Sequence, residues 1–192
     1  MIVIVKYNAG NVQSVQNAIA RLGYESVITD NPELLKAADK VIFPGVGEAS
    51  TAMHYLKERE LDLLIPKLKN PVLGICLGMQ LLCAYSEEGD TKCLGVFDNQ
   101  VKRFPAQDIV PQMGWNNFTS VSSPLFKGIS KEDDVYFVHS YYATITKNTV
   151  AESDYILPFS AALQKDNFYA TQFHPEKSAS VGNTILKNFL EL

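Results

Sequence analysis

The first half of the chain alternates apolar runs with segments in which apolar residues recur every three or four positions. The runs predict short strands, and the periodic segments predict helices. Strands joined by helices through short turns are typical of an open, mainly parallel, doubly wound α/β sheet with helices on both faces. Strands are expected at residues 2–7, 24–29, 41–43 and 71–75, and the first helix presents Val12, Val15, Ile19 and Leu22 before Gly23.

In the second half of the chain, the residue pattern predicts several strands in succession, without helices between them. This succession indicates an added antiparallel β region. These strands are expected at residues 96–104, 112–120, 135–146, 159–164 and 169–173. Asp166-Asn167 has the composition of a hairpin turn between the last two. A final amphipathic helix that begins near Ser178 or Ser180 is predicted from four apolar residues at helical spacing, Val181, Ile185, Phe189 and Leu192.

Composition narrows the class of protein without identifying it. The chain has 192 residues, of which 46% are hydrophobic and 20% charged, as in an ordinary globular protein. It contains no linker or repeat, so we expect residues 1–192 to form one domain. The net charge is −4 and the Lys and Arg residues are scattered, which argues against a nucleic-acid partner.

The amino terminus and the cysteines indicate the compartment. The opening apolar run ends at Lys6, too short for a signal peptide or a membrane span, so we expect a cytoplasmic protein with no membrane association. The three cysteines, at positions 76, 83 and 93, form no C-x-x-C pair, which is typical of free thiols in a reducing compartment. The three histidines lack the spacing of metal ligands, so we expect neither a metal nor another cofactor.

One pentapeptide has the form of a nucleophile elbow. Gly74-Ile75-Cys76-Leu77-Gly78 follows an apolar strand and precedes an expected helix, and its glycines permit a sharp turn that projects the central side chain. Backbone amides and the helix dipole would stabilise a thiolate at Cys76. The alternative is a buried structural cysteine between two packing glycines.

A thiol nucleophile needs a base, and Phe173-His174-Pro175-Glu176 supplies an imidazole and a carboxylate. At the end of an extended strand, residues i and i+2 share a side, so Glu176 is expected to orient the His174 ring towards Cys76. Taken alone, these two residues are better interpreted as a core histidine and a solvated charge, but their combination with the elbow reverses that preference. Together with the elbow they indicate a Cys-His-Glu catalytic triad.

Acyl transfer also needs hydrogen-bond donors for an oxyanion. The amide of Leu77 is one candidate, and the backbone of Gly45-Val46-Gly47 is another, although the latter also fits a simple strand-to-helix turn. Both segments follow strands whose carboxyl ends are the usual ligand site of an open α/β sheet. Cys83 is expected in the core and Cys93 in a polar loop, neither with a function.

These residues resemble the class I glutamine amidotransferases, in which residues 74–80 match the nucleophile segment and residues 173–176 the base segment. The resemblance implies that Cys76 attacks glutamine to form a γ-glutamyl thioester while His174 transfers protons. It also places Gly47 near the oxyanion and Gln80 on the amino-acid part of the substrate. Ser140 and Tyr141 would line the same site.

Three further segments resemble one branch of that family, the glutaminase subunits of imidazole glycerol phosphate synthase. They are residues 44–47, 112–116 and 136–141. This resemblance implies a heterodimer with a (β/α)₈-barrel cyclase that receives ammonia for histidine biosynthesis. Four residues match positions near the subunit interface: Met113, Trp115, Tyr136 and Lys177. The alternative for these four is a solvated lysine and core aromatic residues.

Other functions remain open from sequence. The chain also fits the glutaminase of another ammonia-channelling synthase, in which the chemistry is the same and the partner differs. A cysteine peptidase or hydrolase on a similar sheet would work without a partner, and an interaction module would not need Cys76 at all.

Overall fold

The computed structural model describes residues 1–8 and 10–192, in which the chain forms 14 strands, six α-helices and three short 3₁₀ helices. The strands are β1 Ile2–Val5, β2 Ser26–Thr29, β3 Lys40–Gly45, β4 Val72–Cys76, β5 Tyr85–Ser86, β6 Thr91–Lys92, β7 Gln100–Arg103, β8 Gln112–Asn116, β9 Ser120–Val121, β10 Val135–His139, β11 Tyr141–Ala143, β12 Thr149–Asp154, β13 Pro158–Lys165 and β14 Phe168–Thr171. The helices are α1 Val12–Arg21, α2 Pro32–Ala37, α3 Ala49–Glu58, α4 Leu61–Leu64, α5 Leu77–Leu82 and α6 Ala179–Leu190. Across these described residues, no helix combines the length and the apolar character needed to cross a membrane.

Five strands pair in parallel in the order β2, β1, β3, β4, β14. Alternate residues of β1 enter two separate cores, because successive side chains of a strand point to opposite faces. Val3 and Val5 pack in the core that contains the buried faces of α2, α3 and α5, whereas Ile4 packs in the core that contains those of α1 and α6. The predicted doubly wound α/β sheet is therefore confirmed.

The antiparallel region extends the same sheet beyond β14. Strand β13 pairs with β14, and the sheet continues through β11, β7, β5 and β6, while β12 and β9 branch from β13. Strands β8 and β10 form a separate two-stranded antiparallel sheet. The expectation of an added antiparallel region is confirmed, although β5, β6 and β12 were not anticipated.

The predicted hairpin at Asp166-Asn167 is present. Lys165 pairs with Phe168 across a two-residue turn, and Asp166 takes a left-handed φ of 52°. Aspartate tolerates this conformation better than most residues. The hairpin brings β14 back beside β4, so the last parallel strand comes from the far end of the chain.

The extent of several strands differs from the prediction. The expected strand at 135–146 is two strands, because β10 pairs with β8 while β11 pairs with β7 in the main sheet. The expected strand at 112–120 likewise ends at Asn116, and only Ser120–Val121 resumes as β9. Strand-forming residues such as Phe118, Val121, Tyr141 and Tyr142 continue beyond both breaks, so composition alone does not reveal that the chain changes partner.

The final helix begins where the sequence predicts it, but its side-chain cap is missing and it ends earlier than expected. Ser178 occupies the N-cap position, yet its side chain makes no capping hydrogen bond. Leu192 lies beyond the end of α6 and is 42% exposed, so its place on the apolar face was wrong. Helix ends fray, and one apolar residue after the last packed turn does not extend the helix.

Gly182 lets α6 pack closely on the turn that precedes it. A Cβ atom at this position would lie 1.9 Å from the carbonyl oxygen of Pro175. We therefore expect Gly182→Ala to lower the free energy of unfolding by about 1–3 kcal/mol, the usual cost of overpacking. Ser180→Ala, at an exposed position of the same helix, is the control and should stay within about 0.5 kcal/mol. Equal denaturant midpoints for the two variants would contradict the packing argument.

Candidate active site

Cys76 is the last residue of β4 and stands directly before α5. Its backbone has φ 52° and ψ −108°, a strained conformation for a residue with a side chain. Gly78 permits the turn, because a Cβ atom there would lie 1.7 Å from the carbonyl oxygen of Phe43. The structure thus has the strand, sharp turn and helix that the elbow motif predicts.

The Cys76 sulfur is held at the end of a chain of amide side chains. Gln172 Nε2 donates to Cys76 Sγ at 3.7 Å, and Sγ lies 3.9 Å from the carbonyl oxygen of Val138. Gln80 Nε2 donates to Gln172 Oε1 at 2.9 Å and to the carbonyl oxygen of Tyr141 at 3.0 Å. The amide group of Gln80 is therefore fixed by the protein itself, and Gln172 is a contact that the sequence did not reveal.

His174 and Glu176 form a pair whose side chains are both fully buried. His174 Nδ1 donates to Glu176 Oε1 at 2.8 Å. The local geometry differs from the expected strand end, because Pro175–Lys177 forms a short 3₁₀ turn. Proline favours such a turn, since its ring fixes φ near the helical value. The turn, and not strand alternation, brings the two side chains together.

The protonation of His174 reflects competing effects. Burial alone lowers the pKa of the imidazole, because it disfavours the charged form. The charge of Cys76, together with the hydrogen bond and charge of Glu176, outweighs burial and raises the pKa of His174 to about 10. Among the described residues, Nε2 of His174 has no hydrogen-bond partner, so Cys76 acts on the imidazole as a nearby charge. This raised pKa keeps His174 protonated near neutral pH.

The backbone of His174 is held on both sides. Its N–H donates to the carbonyl oxygen of Tyr136 at 2.9 Å, which ties it to β10. The hydroxyl of Ser178 donates to the carbonyl oxygen of His174 at 2.7 Å and accepts from the N–H of Tyr136 at 2.9 Å. Ser178 is fully buried. Its side chain therefore joins the candidate base to β10 instead of capping α6.

A cavity of about 310 Å³ lies beside the elbow, at the carboxyl ends of the parallel strands. Besides Cys76 it is lined by most of the residues that the sequence assigned to substrate or oxyanion binding: Val46, Gly47, Leu77, Gln80, Ser140 and Tyr141. Gly45 was assigned with them but does not line the cavity. It pairs with Cys76 in the sheet, where a Cβ atom would lie 1.9 Å from the hydroxyl of Tyr7. Close packing, not ligand contact, explains this glycine.

Glu88 also lines the cavity and was missed by the sequence analysis. It lies in a polar loop that reads as a solvated turn, so no local signal distinguished it. Its Oε2 accepts from the N–H of Ala49 at 2.8 Å. Burial, together with the nearby charge of Glu48, raises the pKa of Glu88. Glu88 is the acidic residue of the cavity lining, and it faces the same space as Cys76.

The other two cysteines are structural. Cys83 is fully buried, as expected, and burial raises its pKa well above the usual value. Polar surroundings were expected for Cys93, and this expectation was wrong. The side chain is buried, and burial raises its pKa to about 12. In the part of the chain that the structure describes, no three His, Cys, Asp or Glu side chains come together as metal ligands would.

The four residues assigned to a subunit interface lie away from the core. Met113 and Trp115, on β8, are 66% and 56% exposed. The Trp115 ring packs edge-on against Tyr136, with 5.9 Å between ring centroids, and Lys177 is exposed. The interpretation of Trp115 as a core aromatic residue is therefore wrong. An apolar surface of this kind is typical of an interaction site.

Comparison with known proteins identifies one matching family and similar proteins that share one name. The family model for glutamine amidotransferase class-I matches residues 3–192. An imidazole glycerol phosphate synthase subunit HisH of Bacteroides fragilis (strain YCH46) is 61% identical and covers 100% of this chain and 99% of that protein. A subunit of the same name from Vibrio parahaemolyticus is 45% identical, covering 100% and 98% of the two chains.

Solved structures share the fold at lower identity. A crystal structure described as a glutamine amidotransferase superposes with a TM-score of 0.76 at 19% identity, covering 100% of this chain and 98% of that one. A glutamine amidotransferase from Thermotoga maritima gives a TM-score of 0.67 at 19% identity, with 99% of this chain and 80% of that one covered.

The three cysteines should differ sharply towards a thiol reagent. Cys76 borders the cavity beside the protonated His174, whereas burial raises the pKa of both other thiols. Because the thiolate is the reactive form, iodoacetamide at pH 7 should label Cys76 first, by at least about 10-fold. Peptide mapping by mass spectrometry measures this order. His174→Ala should slow the labelling of Cys76 while Cys93 keeps its rate, and faster labelling of Cys93 in the native protein would refute the assignment.

Proposed function

Since the chain belongs to the glutamine amidotransferase class-I family, we propose that it is a glutaminase whose triad is Cys76, His174 and Glu176. The proximity of the buried His174–Glu176 pair to Cys76, whose thiol lines the cavity, supports this proposal most directly. A nucleophile, a base and an orienting acid in this arrangement are the elements of covalent acyl transfer.

In the proposed reaction, Cys76 Sγ attacks the carbon of the glutamine side-chain amide, and the carbonyl electrons move to oxygen. Collapse of this intermediate breaks the C–N bond, and His174 gives its proton to the departing ammonia. Water, deprotonated by His174, then attacks the γ-glutamyl thioester and releases glutamate and the Cys76 thiolate. The balance is glutamine and water to glutamate and ammonia.

The oxyanion of this reaction needs donors that are fixed in advance. Leu77 is the first residue of α5, so its N–H has no acceptor within the helix. Gly47 lines the same cavity with a φ of 121°, a conformation that glycine adopts readily. We assign the oxyanion to the amide of Leu77 and to the backbone at Val46 and Gly47.

The cavity also suits the amino-acid part of glutamine. Its volume of about 310 Å³ is that of a site for a small molecule. We assign the α-ammonium group of glutamine to the carboxylate of Glu88, because opposite charges are expected to pair in such a site. Gln80, Ser140 and Tyr141 complete the walls.

We further propose that the chain is the glutaminase subunit of imidazole glycerol phosphate synthase, a cytoplasmic heterodimer with a (β/α)₈-barrel cyclase that uses the ammonia in histidine biosynthesis. The names of the relatives at 61% and 45% identity support this assignment. The exposed side chains of Met113, Trp115 and Lys177, together with the half-buried Tyr136, support a partner site on this surface. In this proposal residues 1–192 act as one domain.

Glutamate release from glutamine distinguishes these proposals from their alternatives. The purified chain should be slow alone and at least about 10-fold faster when mixed with the cyclase subunit carrying its ribonucleotide ligand, since a coupling of about 1–3 kcal/mol is typical. Equal rates would favour another synthase or a stand-alone hydrolase. Trp115→Ala should weaken the stimulation but leave the rate of the isolated chain unchanged.

In the same complex, Cys76→Ser should abolish product formation from glutamine and leave product formation from added ammonia intact. The two reactions occur in different subunits, so losing one should spare the other. Loss of both activities would contradict this division.

Replacing Glu88 tests the assignment of the glutamine ammonium group. Glu88→Gln keeps the shape but removes the charge, and we expect the KM for glutamine to rise about 10- to 100-fold with a smaller change in kcat. Glu87→Gln is the matched control, because Glu87 is the exposed neighbour outside the cavity. An unchanged KM in Glu88→Gln would remove Glu88 from the substrate site.

A further inference from the structure

Asn11 contacts the candidate triad although it is far from the triad residues in sequence. Its Nδ2 group donates a hydrogen bond to Glu176 Oε1. That oxygen is also the one that accepts from His174 Nδ1. One carboxylate oxygen therefore receives two donors, one from the imidazole and one from an amide that carries no titratable proton.

The side chain of Asn11 does not make the hydrogen bond that is usual for an asparagine at an N-cap. Asn11 occupies the N-cap position of α1, where asparagine ordinarily accepts a hydrogen bond from the first turn, but its side chain makes no capping bond. Asn31 shows the ordinary behaviour at the start of α2, where its Oδ1 accepts from Glu33 N at 2.9 Å and Leu34 N at 3.3 Å. Asn11 also takes φ 76°, a left-handed conformation that asparagine tolerates.

The buried environment of Glu176 makes its hydrogen bond from Asn11 important. The carboxylate is fully buried, and Oε2 has no hydrogen-bond partner among the described residues. Burying a carboxylate is costly unless it is paired and hydrogen-bonded. The known donors to Glu176 are thus His174 and Asn11, and the start of the ten-residue helix α1 adds a favourable dipole.

Resting on the proposed function, we propose that Asn11 is a positioning residue that holds the carboxylate of Glu176 oriented towards His174. The amide donor prevents Oε1 from rotating away from Nδ1. The proton then stays on Nδ1 of His174, and Nε2 remains the atom that exchanges protons with Cys76 and the leaving ammonia. Asn11 acts only through Glu176 and does not touch the substrate.

Two variants separate this role from a merely structural one. Asn11→Gly removes the side chain without backbone strain, because glycine adopts positive φ freely. It should lower kcat for glutamine hydrolysis by the stimulated complex about 10-fold, as expected for one lost hydrogen bond to a charged group, with KM within about twofold. Asn31→Gly removes a true helix cap as the matched control and should leave both constants unchanged. A kcat of Asn11→Gly within about twofold of the wild type would overturn the proposal.

The pH profile of Asn11→Asp gives a second, sharper signature. Near neutral pH two carboxylates would repel, whereas at lower pH a shared proton restores a donor to Glu176 Oε1. The other titratable groups around the pair are His174, Cys76, the adjacent Lys177 and His139, whose pKa burial lowers to about 4. All of these are common to the wild type, so the ratio of variant to wild-type kcat should rise as the pH falls from about 8 to about 6. A ratio independent of pH would overturn the proposal.

Alkylation of Cys76 tests the same idea without glutamine. Asn11→Gly should slow the reaction of Cys76 with iodoacetamide at pH 7, because a poorly held Glu176 stabilises the His174 imidazolium less. Equal alkylation rates in a folded variant, checked by its melting temperature, would overturn the role of Asn11. If instead the wild-type chain releases no glutamate with any partner, the proposed function fails while this measurement still decides the role of Asn11.

Discussion

The parallel pairing of β4 with β14 is the constraint on which the candidate site depends. Thr171 of β14 pairs with Ile75 of β4, and the two strands run in the same direction. Both strands therefore leave the sheet at the same edge, where β4 delivers Cys76 and the segment after β14 delivers His174 and Glu176. The β13–β14 hairpin sets this register, so a turn distant from the chemistry determines whether nucleophile and base can meet.

The buried His174–Glu176 pair must be enclosed by donors and acceptors, and the chain supplies them from two helix starts. Asn11 and Ser178 both occupy N-cap positions, and neither side chain caps its helix. Asn11 donates to the carboxylate of Glu176, and Ser178 donates to the carbonyl oxygen of His174. Each helix gives up part of its own terminal stabilisation to fix the candidate base and its orienting acid.

Much of this architecture was predictable because its signals are local. Hydrophobic periodicity identified the doubly wound sheet, the composition of Asp166-Asn167 identified the hairpin, and five residues around Cys76 identified the elbow. Glu88 and Gln172 escaped because they reach the site only through tertiary convergence. The His174–Glu176 contact was expected for the wrong reason, since Pro175 forms a turn that the extended interpretation ignored.

The separate sheet of β8 and β10 connects the proposed partner surface to the candidate triad over a very short distance. Trp115 pairs with Tyr136, whose carbonyl oxygen accepts from His174 N. Met113 pairs with Val138, whose carbonyl oxygen lies 3.9 Å from the Cys76 sulfur. Each exposed residue of β8 therefore stands opposite a β10 residue that contacts the candidate triad. In the proposed complex, a partner that shifts β8 acts on Cys76 and His174 through one layer of strand hydrogen bonds, because packed elements transmit small displacements as discrete shifts.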